Sequence, residues 1–179
     1  MNLWLFIGRL NPPHIWHTWI IRKALSENDK VLVLLWTPLI PDDNNPFDFN
    51  FRKKLILKVF SENNLNILEL KDHSSDLVWI KNIIQIIESN YKEFNNITFY
   101  AWDFENDSAY NVIKEFEAEF NKYNIEYVLR SRKDSFINYE WKKHEISATN
   151  VRNALNDWNL ELVEKFCDKE IFEELLKNS

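Results

Sequence analysis

Short apolar segments alternate with helical segments along most of the chain, and this alternation restricts the fold more than any other feature. Strands are predicted over residues 3–8, 31–36, 66–70, 97–101 and 125–129. Helices are predicted between them, over about residues 14–26, 51–61, 76–91 and 108–123. The second strand, VLVLLW, is too uniformly apolar to have one face in water. Because strands that alternate with helices form parallel sheets, the sequence predicts an α/β fold: a Rossmann-like open parallel sheet of about five strands with helices on both faces.

The C-terminal part of the chain lacks this alternation. Two short helical segments are predicted there, over about residues 149–156 and 160–176. No repeat or linker divides the 179 residues, a length that suits one hydrophobic core. We therefore predict a single domain over residues 1–179, with a helical segment of about residues 147–179 packed on it. Ligands of such folds bind at the carboxyl ends of the strands, where the strand order reverses.

Composition and charge exclude several classes of protein. The chain is 45% hydrophobic and 15% aromatic, which is typical of a folded globular protein. Its formal net charge of -6 argues against a general nucleic-acid binder. The one cysteine, Cys167, cannot form an internal disulfide and suits a reducing compartment. No segment has the pattern of a signal peptide or a membrane span, so we expect a cytoplasmic protein without a membrane partner. A homo-oligomer is left open.

The first candidate site follows the first predicted strand. The only glycine of the chain, Gly8, ends that strand, where a missing side chain lets the backbone approach a ligand. The many asparagines of the chain can also occupy left-handed turn positions at modest cost. Two prolines then lead into a helix whose first turn offers unpaired N–H groups. His14 and His17 lie three residues apart, so both imidazoles are expected on one face, with Arg9 adding positive charge. The pattern predicts a polyphosphate site, and the alternative is a pair of capping or core histidines.

The second candidate site is the segment ISATNVR, residues 146–152. Ser147, Thr149 and Arg152 would place two hydroxyl groups and a guanidinium at the start of a helix, which is a favourable arrangement for an anion. Residues 130–152 also carry a local excess of positive charge in an otherwise acidic chain, which suits a polyanionic ligand. The alternative is an ordinary helix N-cap followed by a surface arginine.

These two segments resemble the two sequence motifs of the nucleotidylyltransferase superfamily. Residues 8–17, GRLNPPHIWH, are similar to the G-R-F-x-P lead with its H-x-G-H motif, and ISATNVR is similar to I-S-x-T-x-x-R. Their separation of about 130 residues suits the small members. Three further segments resemble nicotinamide-nucleotide adenylyltransferases of the archaeal-like type. They are NPFDFNFR at residues 45–52, DLVWI at 76–80 with its substrate-facing tryptophan, and DFENDSAY at 103–110 after the fourth strand.

The resemblance implies transfer of AMP from ATP to nicotinamide mononucleotide, which gives NAD and pyrophosphate without a covalent enzyme intermediate. Mg²⁺ would be carried mainly by ATP, with no protein-built metal site. Such a reaction depends on positioning and charge neutralisation. The residues implied for catalysis are His14, His17 and Arg9. The residues implied for ATP and its phosphates are Gly8, Ser147, Thr149, Arg152 and Asp103.

The acceptor is expected to contact Arg52, Asp76 and Trp79. Trp79 would stack on the positively charged nicotinamide ring, and the alternative for this tryptophan is a core position on an amphipathic helix. Other acceptors and donors remain open within the same chemistry, namely phosphopantetheine in place of the mononucleotide or CTP in place of ATP.

The chain departs from the motifs at a few positions. Trp16 replaces the glycine of H-x-G-H, Leu10 replaces the usual phenylalanine, and Ala101-Trp102 stands where glycine is usual. The indole of Trp16 would either obstruct ATP or point elsewhere. One alternative for the chain is a module that binds a nucleotide but has lost catalysis because of Trp16. Because residues i and i+2 of a helix point in different directions, we expect ATP still to bind.

Overall fold

The structure, a computed structural model, describes residues 1–40, 42–61, 63–103, 105–129 and 135–178. The elements in chain order are β1 (Asn2–Gly8), α1 (Ile15–Glu27), β2 (Lys30–Thr37), α2 (Phe49–Val59), β3 (Leu65–Lys71), α3 (Asp76–Asn90), β4 (Asn96–Ala101), α4 (Ser108–Glu115), β5 (Asn124–Leu129), β6 (Phe136–Tyr139), β7 (Lys142–Glu145), α5 (Ala148–Asn156), α6 (Leu160–Phe166) and α7 (Lys169–Leu176). None of the helices within these residues has the length and apolar content needed to cross a membrane.

The chain divides into two compact units. The first comprises Met1–Gly8, Ala24–Ile40 and Asn63–Arg132, and the second comprises Arg9–Lys23, Pro41–Glu62 and Lys133–Ser179. The predicted single domain with a packed C-terminal segment stays a prediction.

The first unit contains the five-stranded sheet, in the order β3-β2-β1-β4-β5 with all neighbours parallel. The predicted Rossmann-like α/β fold is therefore confirmed, and the strand ends differ from the prediction by at most one residue. The strand order reverses at β1, which has β2 on one side and β4 on the other. Gly8 and Ala101 end these neighbouring strands at the reversal, where ligands of open α/β sheets bind.

Apolar residues of the sheet and of α3 form the core of the first unit. Trp79, Ile80, Ile83 and Ile87 are the buried face of α3, and their helical spacing explains why the sequence predicts this helix well. The helix predicted over residues 108–123 is wrong beyond Glu115. There the chain tightens into a 3₁₀ turn, Glu117–Phe120, which buries Phe120.

The second unit differs more from the prediction. The helix predicted over residues 160–176 is two helices, α6 and α7, because Cys167 and Asp168 have extended backbone between them. The hairpin of β6 and β7 is a further difference, because no sequence pattern predicts these two strands. Glu140 and Trp141 form its two-residue turn, with φ of 48° and 63°. Such turns normally use Asn-Gly, so the sequence offers no turn signal here.

Bulky residues occupy the left-handed backbone positions of the described chain. Besides the hairpin turn, these are Leu10 with φ of 45° and Trp158 with φ of 54°. Within the described residues no asparagine has a positive φ, and Gly8 has none either. Trp158 follows α5, where the Asn159 N–H donates to the Ala154 carbonyl at 2.9 Å. This is the helix-ending arrangement in which glycine is usual.

Candidate active site

Two histidine rings stack at the start of α1, in the second unit. The ring centroids of His14 and His17 lie 3.7 Å apart at an interplanar angle of 27°, so the prediction that both imidazoles share one face is confirmed. The helix begins at Ile15, one residue later than predicted, and the His14 carbonyl accepts from the Thr18 N–H at 3.1 Å. His14 is fully buried and His17 is 5% exposed.

The hydrogen bond between these histidines assigns a tautomer to one of them. The His14 backbone N–H donates to Nδ1 of His17 at 3.3 Å. A nitrogen that accepts a hydrogen bond carries no proton, so the neutral His17 ring has its proton on Nε2.

Trp16, which replaces the motif glycine, packs edge-on against His17. The two ring centroids lie 5.8 Å apart at an interplanar angle of 75°, and Trp16 is only 7% exposed. The indole therefore shares a side of the helix start with one imidazole.

A strained turn precedes the histidines. Leu10 is buried with φ of 45°, and an arginine donates to the backbone carbonyl on each side of it. Arg52 donates to the Arg9 carbonyl through Nη1, and its Nε donates to the Asp48 carbonyl at 3.2 Å. Arg152 donates to the Asn11 carbonyl through Nη1 at 2.6 Å.

Asn11, which sequence analysis did not single out, joins this turn to the segment at residues 45–52. Its Nδ2 donates to the Phe47 carbonyl at 2.9 Å, and its Oδ1 accepts from the Phe47 N–H at 3.1 Å. The side chain is 2% exposed. An asparagine before proline in a predicted loop does not reveal such long-range contacts, so no sequence pattern could have identified it.

The second motif meets the first through Arg152. Ser147 caps α5 by accepting from the Asn150 N–H at 3.2 Å, and Nη2 of Arg152 donates to the Thr149 hydroxyl at 3.2 Å. Since Arg152 also binds the Asn11 carbonyl, the structure brings together the two segments that the sequence predicts as anion sites. Four charged residues of the basic segment 130–152 lie outside the described residues, namely Arg130, Arg132, Lys133 and Asp134.

An acidic side chain influences two arginines of this site, the exposed Arg9 and the half-buried Arg152. Asp42 lies near Arg9 and Arg152, and it accepts from Asn45 Nδ2 at 2.8 Å. The Asn45 hydrogen bond is the main cause that lowers the pKa of Asp42, and Arg9 lowers it further. Burial lowers the pKa of the Arg152 guanidinium, while Asp42 acts in the opposite direction. The carboxylate thus balances part of the positive charge.

The beginning of α7 supports the beginning of α1. Asp168 accepts from the Thr18 hydroxyl and forms a 3.5 Å ion pair with Arg22. The neighbouring thiol of Cys167 donates to the Pro13 carbonyl at 3.9 Å. Both contacts fall on the loop and helix that carry the stacked histidines, so the C-terminal helices help to fix this segment.

The remaining predicted site residues belong to the first unit. Gly8 is half-buried at the end of β1. After β4, the Asp103 carboxylate accepts from the Glu105 and Asn106 N–H groups at 2.7 and 3.2 Å. The carboxylate thereby organises its own loop. Phe104 of this loop lies outside the described residues. Asp107, which sequence analysis did not name, is buried and caps α4 by accepting from Tyr110 N–H at 3.1 Å.

The two predicted acceptor residues of α3 have very different surroundings. Asp76 is exposed in the first turn of the helix. Trp79 is 3% exposed within the core and packs against Trp36 at a centroid distance of 5.2 Å. This burial favours the core alternative for Trp79, and its contact with an acceptor stays a prediction.

Comparison with known proteins gives relatives that agree with this fold. The nicotinamide/nicotinic acid mononucleotide adenylyltransferase of Acinetobacter baylyi is 24% identical over 176 residues, covering 96% of this chain and 89% of that protein. A bifunctional NMN adenylyltransferase/ADP ribose pyrophosphatase from Francisella tularensis matches with a TM-score of 0.65 at 19% identity. That match covers 88% of this chain but only 42% of the Francisella chain. The nicotinic acid mononucleotide adenylyltransferase of Plasmodium falciparum matches with a TM-score of 0.55 at 16% identity, covering 99% of this chain and 95% of that one.

A family model covers most of the sequence. The model described as cytidylyltransferase-like matches residues 5–154, a range that contains both the stacked histidines and Arg152. The chain therefore belongs to the cytidylyltransferase-like family, as the resemblance of its two motifs to the nucleotidylyltransferases implies.

Proposed function

We propose that this chain transfers AMP from ATP to nicotinamide mononucleotide, giving NAD and pyrophosphate. The observation that carries the proposal is the arrangement of the two motifs. Two stacked imidazoles stand at a helix start, and Arg152 of the second motif is bonded to the loop that precedes them. The names of the Acinetobacter, Francisella and Plasmodium relatives support this choice of reaction.

In the proposed reaction, a phosphate oxygen of the mononucleotide attacks the α-phosphorus of ATP in line. A new P–O bond forms as the bond from the α-phosphorus to the bridging oxygen breaks, and pyrophosphate leaves with the electron pair. Negative charge accumulates on the phosphoryl oxygens, so donors aimed at that charge lower the barrier. His17 would be such a donor through its Nε2–H. His14 would share this role, and Arg9 would neutralise phosphate charge.

The other proposed contacts are those that the resemblance to the family implies. Ser147 and Thr149 would donate to the leaving phosphates, Arg152 would neutralise their charge, and Gly8 would allow ATP to approach the end of β1. Asp103 would shape the loop that follows β4, consistent with the backbone N–H groups that its carboxylate holds.

For the acceptor, we propose contacts with Arg52 and Asp76. The Arg52 guanidinium is fully buried and holds backbone carbonyls, so its contribution includes fixing the turn that it supports. Trp79 would line the nicotinamide subsite only if the core around it opened. Trp79→Ala is then expected to weaken binding of the mononucleotide more than binding of ATP. A core role instead predicts an equal loss of binding for both substrates and a lower melting temperature.

A divalent cation is proposed to accompany ATP. A Francisella tularensis enzyme of the same description as the relative above has been solved with AMP and a Mn ion. In the part of the chain that the structure describes, no group of three His, Cys, Asp or Glu side chains could hold a metal ion. Mg²⁺ held mainly by phosphate oxygens needs few protein ligands, and it would supply charge neutralisation when bound. The cytoplasmic location stays a prediction.

The test is an incubation with ATP, Mg²⁺ and nicotinamide mononucleotide, with NAD and pyrophosphate measured together. CTP in place of ATP, and phosphopantetheine in place of the mononucleotide, are run in parallel. His17→Ala is expected to lower kcat by at least about tenfold because it removes a transition-state donor. His144→Ala, a histidine of β7 in the same unit, is the matched control and should retain its turnover.

Each outcome assigns the site differently. Faster turnover with CTP or phosphopantetheine would replace the proposed substrate pair. ATP binding without any turnover would indicate a nucleotide-binding module. Equal turnover in wild type and His17→Ala would remove the stacked histidines from the mechanism.

A further inference from the structure

The turn before the stacked histidines has an unfavourable backbone conformation. Leu10 is a buried leucine with φ of 45°. A left-handed backbone crowds the Cβ of any residue except glycine, and such residues persist only where neighbouring groups fix them. Neighbouring groups must therefore hold Leu10 in this conformation.

Contacts on both sides of Leu10 fix this turn. Arg52 donates to the carbonyl before it, and Arg152 donates to the carbonyl after it at 2.6 Å. These two arginines come from α2 and α5, which are far from the turn in sequence. The conformation of the turn thus depends on three separate segments meeting at one place.

Asn11 is the residue that connects these segments. Its backbone carbonyl accepts a hydrogen bond from Arg152. Its side-chain amide donates one hydrogen bond to the Phe47 carbonyl and accepts another from the Phe47 N–H. The amide can satisfy both groups of Phe47 because it has a donor and an acceptor side by side. Aspartate lacks the donor, and alanine lacks both. Since Asn11 is 2% exposed, water does not compete effectively for these bonds.

We propose that Asn11 is a positioning residue for the phosphate site, which holds the loop of residues 9–14, the backbone of Phe47 and Arg152 in one arrangement. The proposal rests on the proposed function for its effect on turnover. Asn11 itself need not touch a substrate. It acts through Arg152, and through the backbone that leads to His14.

The test compares Asn11→Ala and Asn11→Asp with Asn159→Ala. Asn159 is a matched control because its side chain also binds a backbone group of the same unit, accepting from the Leu162 N–H at 3.2 Å as the N-cap of α6. Thermal melting identifies the loss of stability in each variant. The kinetic assay is then run well below every melting temperature, at saturating ATP and mononucleotide.

We expect kcat to fall at least about tenfold in both Asn11 variants, and to stay within about twofold of wild type in Asn159→Ala. A merely structural role would lower the melting temperature of the three variants without this difference in kcat. Equal kcat in Asn11→Ala, Asn159→Ala and wild type would overturn the proposal.

Two further measurements do not depend on turnover. Pyrophosphate should bind at least about fivefold more weakly to Asn11→Ala than to wild type, with no change in Asn159→Ala, because Arg152 loses its fixed position. In wild type, hydrogen exchange of the Phe47 N–H should be slow. Fast exchange there would contradict the bond to Asn11 even if no Asn11 variant folds. If wild type makes no NAD while pyrophosphate binding and exchange behave as expected, the proposed reaction fails and the positioning role stands.

Discussion

Replacement of Trp16 by glycine restores the family motif and should nevertheless destabilise the protein. Trp16 is 7% exposed and packs edge-on against His17. Removing a buried tryptophan side chain costs about 3–5 kcal/mol in free energy of unfolding, and glycine inside a helix adds up to about 1 kcal/mol. We therefore expect a loss of about 4 kcal/mol, which lowers the melting temperature by roughly 8–16 °C in a protein of this size.

Replacement of Trp16 by glycine should change ATP binding less than it changes the free energy of unfolding. The KM for ATP is expected to change by less than about tenfold, because the indole packs on the edge of His17 and the two imidazoles remain stacked. Thermal unfolding followed by circular dichroism, and an ATP titration, measure the two quantities. Trp158→Ala is the control, since that side chain is 71% exposed. The reasoning is refuted if Trp16→Gly melts like wild type and gains NAD synthesis that wild type lacks, because Trp16 would then be a plug.

Three further variants test other contacts. Trp158→Gly should raise the free energy of unfolding by about 0.5–1 kcal/mol relative to Trp158→Ala, since glycine adopts the left-handed position without strain; equal melting temperatures would contradict this. Glu174 accepts from Lys54 at 2.6 Å, which lowers its pKa from 4.5. Its stabilisation should be present above about pH 4.5 and lost as the pH falls through the lowered value, so Glu174→Gln should differ most from wild type at neutral pH. Asp42→Asn should tighten pyrophosphate binding by about two- to fivefold, because a carboxylate near both arginines is removed; weaker binding would refute that role.

Local patterns made most of the sheet predictable. Each strand is a short apolar run, and the face of α3 repeats at helical spacing, so the sequence contains the signal for both. His14 and His17 are three residues apart, and that spacing predicts the common face on which their rings stack. These features need no information about distant parts of the chain.

Contacts between distant residues could not be predicted in the same way. Asn11 binds Phe47 and Arg152, which are 36 and 141 residues away in sequence. The β6–β7 hairpin was missed because Glu140 and Trp141 are not turn residues by type. For Trp79, core packing and ligand stacking share one sequence pattern, and only its burial separates them.

ATP labelled at its α-phosphorus follows the proposed transfer of AMP to nicotinamide mononucleotide. We expect the label to appear in NAD, and unlabelled pyrophosphate to form in equal amount. His17→Ala should slow the formation of both products together. Label that stays in ATP, or that appears in free AMP or ADP without NAD, would contradict AMP transfer to the mononucleotide.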